Sequence, residues 1–131
     1  MRTLKFRAWS NDHNRYCDFV TLDETGRWIG WIKSNGVYLT TIDIILEQYT
    51  GLKDKNGKEI YEGDILRLTR EVARDKSTLY QVVWNEPTAE FDTKNLDEKG
   101  LDIGYLNKTA AEKDYLVIGN IHENPELIGG E

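Results

Sequence analysis

The run of residues 49–66 constrains the fold of this chain more tightly than any other segment. It opens with apolar residues, passes through a polar tip containing Asn56-Gly57, and returns through a second arm that ends at Leu66. Asn-Gly between two such arms is a strong hairpin signal, because a type I′ turn requires positive φ at both central residues. The pattern therefore predicts two antiparallel strands joined by a type I′ turn in the middle of the chain.

Short extended runs separated by turn residues fill the first third of the chain. Residues 2–9 alternate in polarity, residues 16–22 and 27–32 form further apolar runs, and Asn35-Gly36 is a second hairpin signal before residues 37–39. Alternation of this kind is typical of half-buried strands. Residues 1–45 are therefore predicted to form a small β meander.

Residues 46–131 are predicted to form the core of the same single domain. Strands are expected at residues 64–68, 79–84 and 115–121, and a charged loop at residues 69–77. One or two short helices complete this prediction. Residues 41–49 fit a short helix that enters a strand near Leu46, and Thr109 begins a run with capping-box spacing.

Composition narrows the class of protein. A chain of 131 residues with 39% hydrophobic residues is sized for one domain with an adequate core. Its single cysteine, Cys17, precludes an internal disulfide and favours a reducing cytoplasm. No apolar run approaches the roughly 20 residues that span a bilayer, so no membrane association is predicted. A net charge of −6 argues against broad, charge-driven binding to nucleic acid.

Three blocks of sequence resemble the YopX family, small proteins of phages and prophages. They are residues 5–9, residues 48–66 and residues 117–127, and they occur in the order found in the family. The resemblance implies a mainly β fold with an SH3-like barrel at its heart and a phage or prophage origin, and it implies no settled activity. The chain departs from the family pattern at Ser10 and at His122. The motif residues, expected to have structural roles, are Arg7, Asn56, Gly57, Tyr61, Glu62, Gly63, Asp64, Asn120 and Pro125.

Few residues have the chemistry of a catalytic or metal site. Glu62 and Asp64 are two residues apart and would share a face of an extended strand, as paired acids for proton transfer or metal binding do. The alternative is that both accept hydrogen bonds from turn amides or pair with a base. His13, Cys17 and His122 lack the short spacings of a structural zinc site, so no metal or cofactor is predicted.

Tryptophan marks the most suggestive binding residues, Trp9, Trp28 and Trp31. Trp28 and Trp31 differ in parity, so a strand places them on opposite faces unless Gly30 marks a bulge, and one of them is a candidate for exposure. Exposed tryptophan is typical of binding hot spots and of base stacking, although packing in the core is its commoner fate.

These features favour a non-enzymatic accessory protein of a phage or prophage that binds a host or phage protein in the cytoplasm. A homo-oligomer is also expected to be feasible, because short meanders leave strand edges to be covered. The alternatives are a nucleic-acid-binding factor and, less favoured, a metal-dependent enzyme that uses Glu62 and Asp64.

Overall fold

The computed structural model describes residues 3–70, 78–97 and 103–128, and for residues 103–105 the backbone alone. This part of the chain is mostly β, which confirms the predicted fold class. Contacts divide the chain into two compact units, an N-terminal unit of Thr3–Gln48 and a C-terminal unit that begins at Tyr49. The single-domain organisation stays a prediction.

The N-terminal unit consists of short antiparallel strands. One group pairs β1 with β2 and with the first half of β6, and a separate three-stranded sheet has the order β3-β4-β5. The strands are β1 (Phe6–Ser10), β2 (Arg15–Tyr16), β3 (Phe19–Leu22), β4 (Trp28–Ser34), β5 (Val37–Thr41) and β6 (Ile44–Lys53).

The hairpin between β4 and β5 has the turn that the sequence predicts. Ser34 pairs with Val37, which leaves Asn35 and Gly36 as a two-residue loop. Their φ angles are 51° and 80°, so both central residues are left-handed, as a type I′ turn requires.

The short helix predicted within residues 41–49 is wrong. Strand β6 begins at Ile44, and its first five residues pair with β1 in continuous register. Ile42 and Ile45, two of the apolar residues at helical spacing, are exposed, whereas Glu47 is buried. The helical spacing was therefore coincidental, and pairing with β1 decided the conformation of an ambiguous apolar run.

The C-terminal unit contains a five-stranded antiparallel sheet and a hairpin. The sheet has the order β11-β10-β9-β8-β12, and the second half of β6 pairs with β7. Curled sheets of this kind are consistent with the predicted barrel-like core. The strands are β7 (Glu59–Tyr61), β8 (Asp64–Leu68), β9 (Leu79–Asn85), β10 (Glu90–Asn95), β11 (Ile103–Tyr105) and β12 (Tyr115–Asn120). The buried core residues are Ile60, Leu66, Leu68, Val82, Ala111 and Tyr115.

The described part of the chain includes one α-helix and a 3₁₀ turn at Pro125–Leu127, in line with the predicted one or two short helices. The helix α1 spans Lys108–Asp114, and its N-cap is Asn107, whose side chain accepts the N–H of Ala110. A start at Thr109 was therefore wrong by two residues, because asparagine is an equally good cap. The predicted loop at residues 69–77 falls mainly on residues 71–77, outside the described residues.

Gly30, in the middle of β4, is required by close packing. A Cβ added there would overlap Cys17 Sγ and would lie 3.1 Å from Thr41 Cγ2 and 3.2 Å from Ile44 Cγ2.

We expect Gly30→Ala to lower the free energy of unfolding by about 2 kcal/mol, the usual cost of overpacking. Urea denaturation of the wild type and the variant measures this change in the free energy of unfolding. In a Cys17→Ala background the loss should fall by about half, since the closest contact is gone; an equal loss in both backgrounds would contradict this explanation.

Candidate functional site

The predicted tryptophan cluster does not form one surface. Trp9 is 6% exposed and packs edge-on against Tyr16, with ring centroids 5.1 Å apart, so it belongs to the core of the N-terminal unit. Trp28 is half-buried against Phe6. The register of β4 with both of its neighbours is regular through Gly30. Trp28 and Trp31 therefore lie on opposite faces of the sheet, as their parity predicts.

Trp31 is half-buried and belongs to an aromatic patch on the three-stranded sheet, made with the exposed residues Phe19 and Tyr38. Phe19 stacks on Trp31 with ring centroids 5.8 Å apart, and its ring is 5.3 Å from that of Tyr38 in an edge-to-face contact. Phe19 is 44% exposed and Tyr38 46% exposed. The indole N–H of Trp31 donates to Thr21 Oγ1 at 2.8 Å, which fixes the ring orientation. Lys33 Nζ lies 6.0 Å from the Tyr38 ring centroid.

Sequence reasoning found Trp31 and missed Phe19 and Tyr38. The signal that identifies them is the register, since Phe19 pairs with Trp31 and Tyr38 pairs with Lys33 on one face of the sheet. Register depends on two other strands, so no local pattern in the sequence reveals it.

The edge strand β5 adds an apolar border to this patch. Val37, Tyr38 and Leu39 are all exposed, and the strand contains neither a charged residue nor a proline. Edge strands of this kind pair readily with another chain unless a protein blocks them. Of the ten exposed large hydrophobic residues found in the described part of the chain, eight lie in the N-terminal unit: Leu4, Phe19, Leu22, Val37, Tyr38, Leu39, Ile42 and Ile45.

Arg7, from the first motif block, takes part in a buried polar cluster in the N-terminal unit. Its Nε donates to Glu47 Oε1 at 2.8 Å, and the Tyr16 hydroxyl donates to the same oxygen at 2.9 Å. The guanidinium carbon of Arg7 lies 4.6 Å from the Tyr16 ring centroid. Glu47 is only 3% exposed, so this cluster ties together β1, β2 and β6 in a place that water scarcely reaches.

The turn at Asn56-Gly57 differs from the predicted type I′ turn. Gly57 has φ 83°, but Asn56 is not among the residues with positive φ. The Gly57 N–H donates to the Asp54 carbonyl, and the Asp54 N–H to the Lys58 carbonyl, which describes a turn followed by a left-handed glycine. Asp54 Oδ1 accepts the N–H groups of Asn56 and Lys58, and the competition of this side chain explains the change of turn.

The Asp54 carboxylate also reaches outside its own hairpin. Its Oδ2 accepts the N–H of Val117 in β12 at 2.9 Å, and Asp54 as a whole is 4% exposed. From the sequence, Asp54 is one residue of the polar hairpin tip, with no contact to another strand predicted. Its role follows from the arrival of a strand 63 positions away in the sequence.

Glu62 and Asp64 do not share a face of a strand, so that premise of the paired-acid hypothesis was wrong. Strand β7 ends at Tyr61 and β8 begins at Asp64, with a turn at Glu62 and Gly63, whose φ is 89°. Asp64 is 2% exposed, and its Oδ2 accepts the N–H of Tyr61 at 2.8 Å. The geometry therefore places Asp64 within the turn, as the alternative interpretation held.

The last motif block forms a second tight turn. Asn120 Oδ1 accepts the N–H groups of His122 and Glu123, and its Nδ2 donates to Glu123 Oε1 at 2.7 Å. Asn124 Oδ1 accepts the N–H of Asn120 at 3.1 Å. Pro125 then begins the 3₁₀ turn Pro125–Leu127, where its lack of an N–H costs nothing.

His13, Cys17 and His122, the remaining residues of metal-ligand or nucleophile type, have separate local surroundings. His13 Nδ1 is 3.2 Å from Ser10 Oγ, and the His122 backbone belongs to the Asn120 turn. Burial raises the pKa of the Cys17 thiol above its ordinary value, with Arg15 opposing the shift, which disfavours the reactive thiolate. Among residues 3–70, 78–97 and 103–128, no group of three or more His, Cys, Asp or Glu is placed to hold a metal ion. No helix in these ranges is long and apolar enough to cross a membrane.

Comparisons with known proteins agree along nearly the full length of the chain. The family model described as YopX protein matches residues 5–129. Protein EF1440 from Enterococcus faecalis has a similar crystal structure, with 29% identity, a TM-score of 0.67 and coverage of 98% of this chain and 99% of that one. Protein yopX from Bacillus subtilis shares the fold at 21% identity and a TM-score of 0.58, covering 98% and 97% of the two chains. None of the curated proteins compared matches the chain.

Proposed function

The chain belongs to the YopX family, and from this premise we propose that it is a non-enzymatic binding module. In this proposal the N-terminal unit binds an extended segment of a partner protein along the edge of β5. The partner is a host or phage protein, and the setting is the cytoplasm of a phage-carrying cell. The observation that carries the proposal is the uncharged, apolar and exposed edge strand β5 beside the aromatic patch.

Strand addition explains why both faces of β5 are apolar. Val37 and Leu39 lie on one face and Tyr38 on the other, so an added strand gains side-chain contacts on both sides of the sheet. The main-chain hydrogen bonds of the new strand supply affinity, and alternate side chains supply specificity. Phe19 and Trp31, next to Tyr38, extend the contact area with large rings that are typical of binding hot spots.

Charge favours a partner with basic character over a second copy of this chain. Every copy carries a net charge of −6, so self-association brings together like charges. A basic protein gains long-range attraction toward the chain as a whole. A homodimer formed through β5 is thus the less favourable occupant, and its detection is one outcome of the experiment below.

A nucleic-acid-binding role is the second candidate, because stacked rings on a sheet are a common platform for bases. Charge weighs against it: the N-terminal unit has five Lys or Arg and six Asp or Glu residues. Arg7, Arg15 and Arg27 are each within an ion pair with an acidic residue. Binding to single strands requires a positively charged groove, so a protein partner is the stronger proposal.

The test uses an edge-blocking substitution, Leu39→Lys, with Ile42→Lys as the matched control. Both residues are exposed, at 43% and 59%, and only Leu39 lies in β5. A partner is first isolated by affinity purification from phage-carrying cells, with half of the eluate treated with nuclease, and is then purified and titrated by calorimetry. We expect Leu39→Lys to weaken binding at least about tenfold, because a lysine on an edge prevents strand addition, and Ile42→Lys to leave binding nearly unchanged.

Two results would contradict the proposal. One is equal binding by Leu39→Lys and by the wild type, with Tyr38→Ala also neutral. The other is a partner that disappears on nuclease treatment while the purified chain binds single-stranded DNA in a salt-sensitive way. Melting temperatures of all variants confirm that each is folded, and light scattering detects a homodimer that would replace the partner on β5.

A further inference from the structure

An open cavity lies at the turn of the β9–β10 hairpin in the C-terminal unit. Its volume is about 270 Å³, and its lining consists of Val83, Trp84, Asn85, Glu86, Pro87 and Asp92. The turn that shapes it includes Ala89 at φ 54°, a left-handed conformation that is uncommon outside glycine and asparagine. Sites for drug-sized molecules usually have about 300–1,000 Å³, so this cavity suits a group the size of one side chain.

Asp92 gives the cavity its chemistry. The residue is 3% exposed, and its Oδ2 accepts a hydrogen bond from Asn85 Nδ2 at 2.8 Å. Its Oδ1 is buried and has no hydrogen-bond partner. A buried carboxylate oxygen without a donor is costly, and such groups call for an explanation such as a missing ligand. Asp92 also lines the cavity, so a group bound there is a candidate for the missing donor.

The surroundings favour a cation of organic type. Asp92 pairs with Val83, and Asn85 is two residues beyond Val83 in β9, so the side chains of Asp92 and Asn85 share a face of the hairpin. The acidic residue Glu86 lies at the turn. Asn85 uses its amide nitrogen on Asp92, which leaves its carbonyl oxygen as a further acceptor. One carboxylate and one amide oxygen are too few protein ligands for a well-held metal ion. They match a planar guanidinium, which presents several N–H donors in a fixed fork.

We propose that this cavity binds an arginine side chain of the partner protein, held by Asp92 and Asn85. This inference rests on the proposed function in that a protein supplies the arginine. The binding chemistry depends on the C-terminal unit alone and is therefore tested separately from β5. The guanidinium donates to the unpartnered Oδ1 of Asp92, and a charge-assisted hydrogen bond of this kind is about twice as strong as a neutral one.

The experiment is an NMR titration of the purified, ¹⁵N-labelled chain with acetyl-Gly-Arg-Gly-amide. The control peptide has citrulline in place of arginine, which keeps the shape and removes the charge. We expect shifts of the Asn85 and Asp92 amide signals and of the Asn85 side-chain NH₂, with a Kd on the order of 10 mM for so small a probe. The citrulline peptide should bind at least about tenfold more weakly, since it lacks the charge that Asp92 complements.

Asp92→Asn provides the matched variant. Its side-chain oxygen still accepts from Asn85, and it removes a buried charge, so the melting temperature should stay equal or rise. Arginine-dependent shifts should disappear in Asp92→Asn and persist in Glu126→Gln, an exposed acid elsewhere in the same unit. The inference is overturned if no shifts appear at concentrations well above this Kd, if citrulline is equivalent to arginine, or if Asp92→Asn still responds to arginine.

The partner titration separates this inference from the proposed function. Loss of partner binding in Leu39→Lys without any loss in Asp92→Asn would overturn the arginine pocket and leave the β5 proposal standing. Arginine-specific shifts at Asp92, together with partner binding that Leu39→Lys leaves unchanged, would support the arginine pocket and overturn the β5 proposal. At least about a tenfold loss of partner affinity in Asp92→Asn supports the pocket, because removing one partner of a buried charge pair has effects of this size or larger.

Discussion

Asp54→Ala is expected to destabilise the protein by about 3 kcal/mol, which in a domain of this size lowers the melting temperature by roughly 10 °C. The Asp54 carboxylate accepts three backbone N–H groups, from Asn56, Lys58 and Val117, in a place where the residue is 4% exposed. Removing the carboxylate deletes all three hydrogen bonds at once, and hydrogen bonds to a charged group are the stronger kind. Thermal unfolding followed by circular dichroism measures the change.

A matched control distinguishes this role from a general effect of removing an acid. Asp43→Ala deletes an exposed carboxylate whose side chain accepts one hydrogen bond from Asn11 Nδ2, and it should cost less than about 0.5 kcal/mol. Asp54→Asn keeps one good acceptor oxygen, so its loss of stability should lie between those of Asp54→Ala and Asp43→Ala. Equal melting temperatures for Asp54→Ala and Asp43→Ala would show that the turn does not depend on this carboxylate.

Glu47→Ala should be the second large loss, also about 3 kcal/mol. Breaking a buried ion pair by removing one partner typically costs about 3–5 kcal/mol. The lower end applies because the Arg7 side chain is 21% exposed and partly screened, while that of Glu47 is 3% exposed. The variant removes the acceptor that both Arg7 Nε and the Tyr16 hydroxyl use. Urea denaturation gives the free energy of unfolding.

Tyr16→Phe and Glu24→Ala give the scale for that measurement. Tyr16→Phe deletes one hydrogen bond to the Glu47 carboxylate and should cost about 1 kcal/mol. Glu24 is exposed, so its replacement should lie within about 0.5 kcal/mol of the wild type. A Glu47→Ala variant no less stable than Tyr16→Phe would mean that the Arg7 pair contributes nothing measurable.

These two carboxylates bear on how the motif blocks are understood. Arg7 pairs with Glu47, and Asn56-Gly57 is shaped by Asp54, yet neither of these contacts was predicted from the sequence. Asn120 and Pro125 likewise occupy a turn closed by Asn124 and Glu123. The family motif thus coincides with turns and a buried pair, whereas the exposed apolar strand β5 lies between the first two blocks.

Local patterns proved reliable where a single segment carries the whole signal. Asn35-Gly36 predicted a hairpin, and both residues take the positive φ of a type I′ turn. Residues 64–68 and 79–84 were recognised as strands from their own apolar runs. Three of the failures involve groups that the local pattern does not include. The strand at Ile44, the turn at Gly57 and the turn at Gly63 were each decided by a partner distant in sequence or by a competing side chain.

The sequence by itself determined the fold class, the positions of most strands and the family, because alternation, turn chemistry and motif blocks are local properties. Only the tertiary structure decided which faces are exposed. Register brings Phe19, Trp31 and Tyr38 together, buries Trp9, and leaves Asp92 Oδ1 without a donor beside a cavity. These features depend on cross-strand neighbours, and a one-residue change of register would move every side chain to the opposite face.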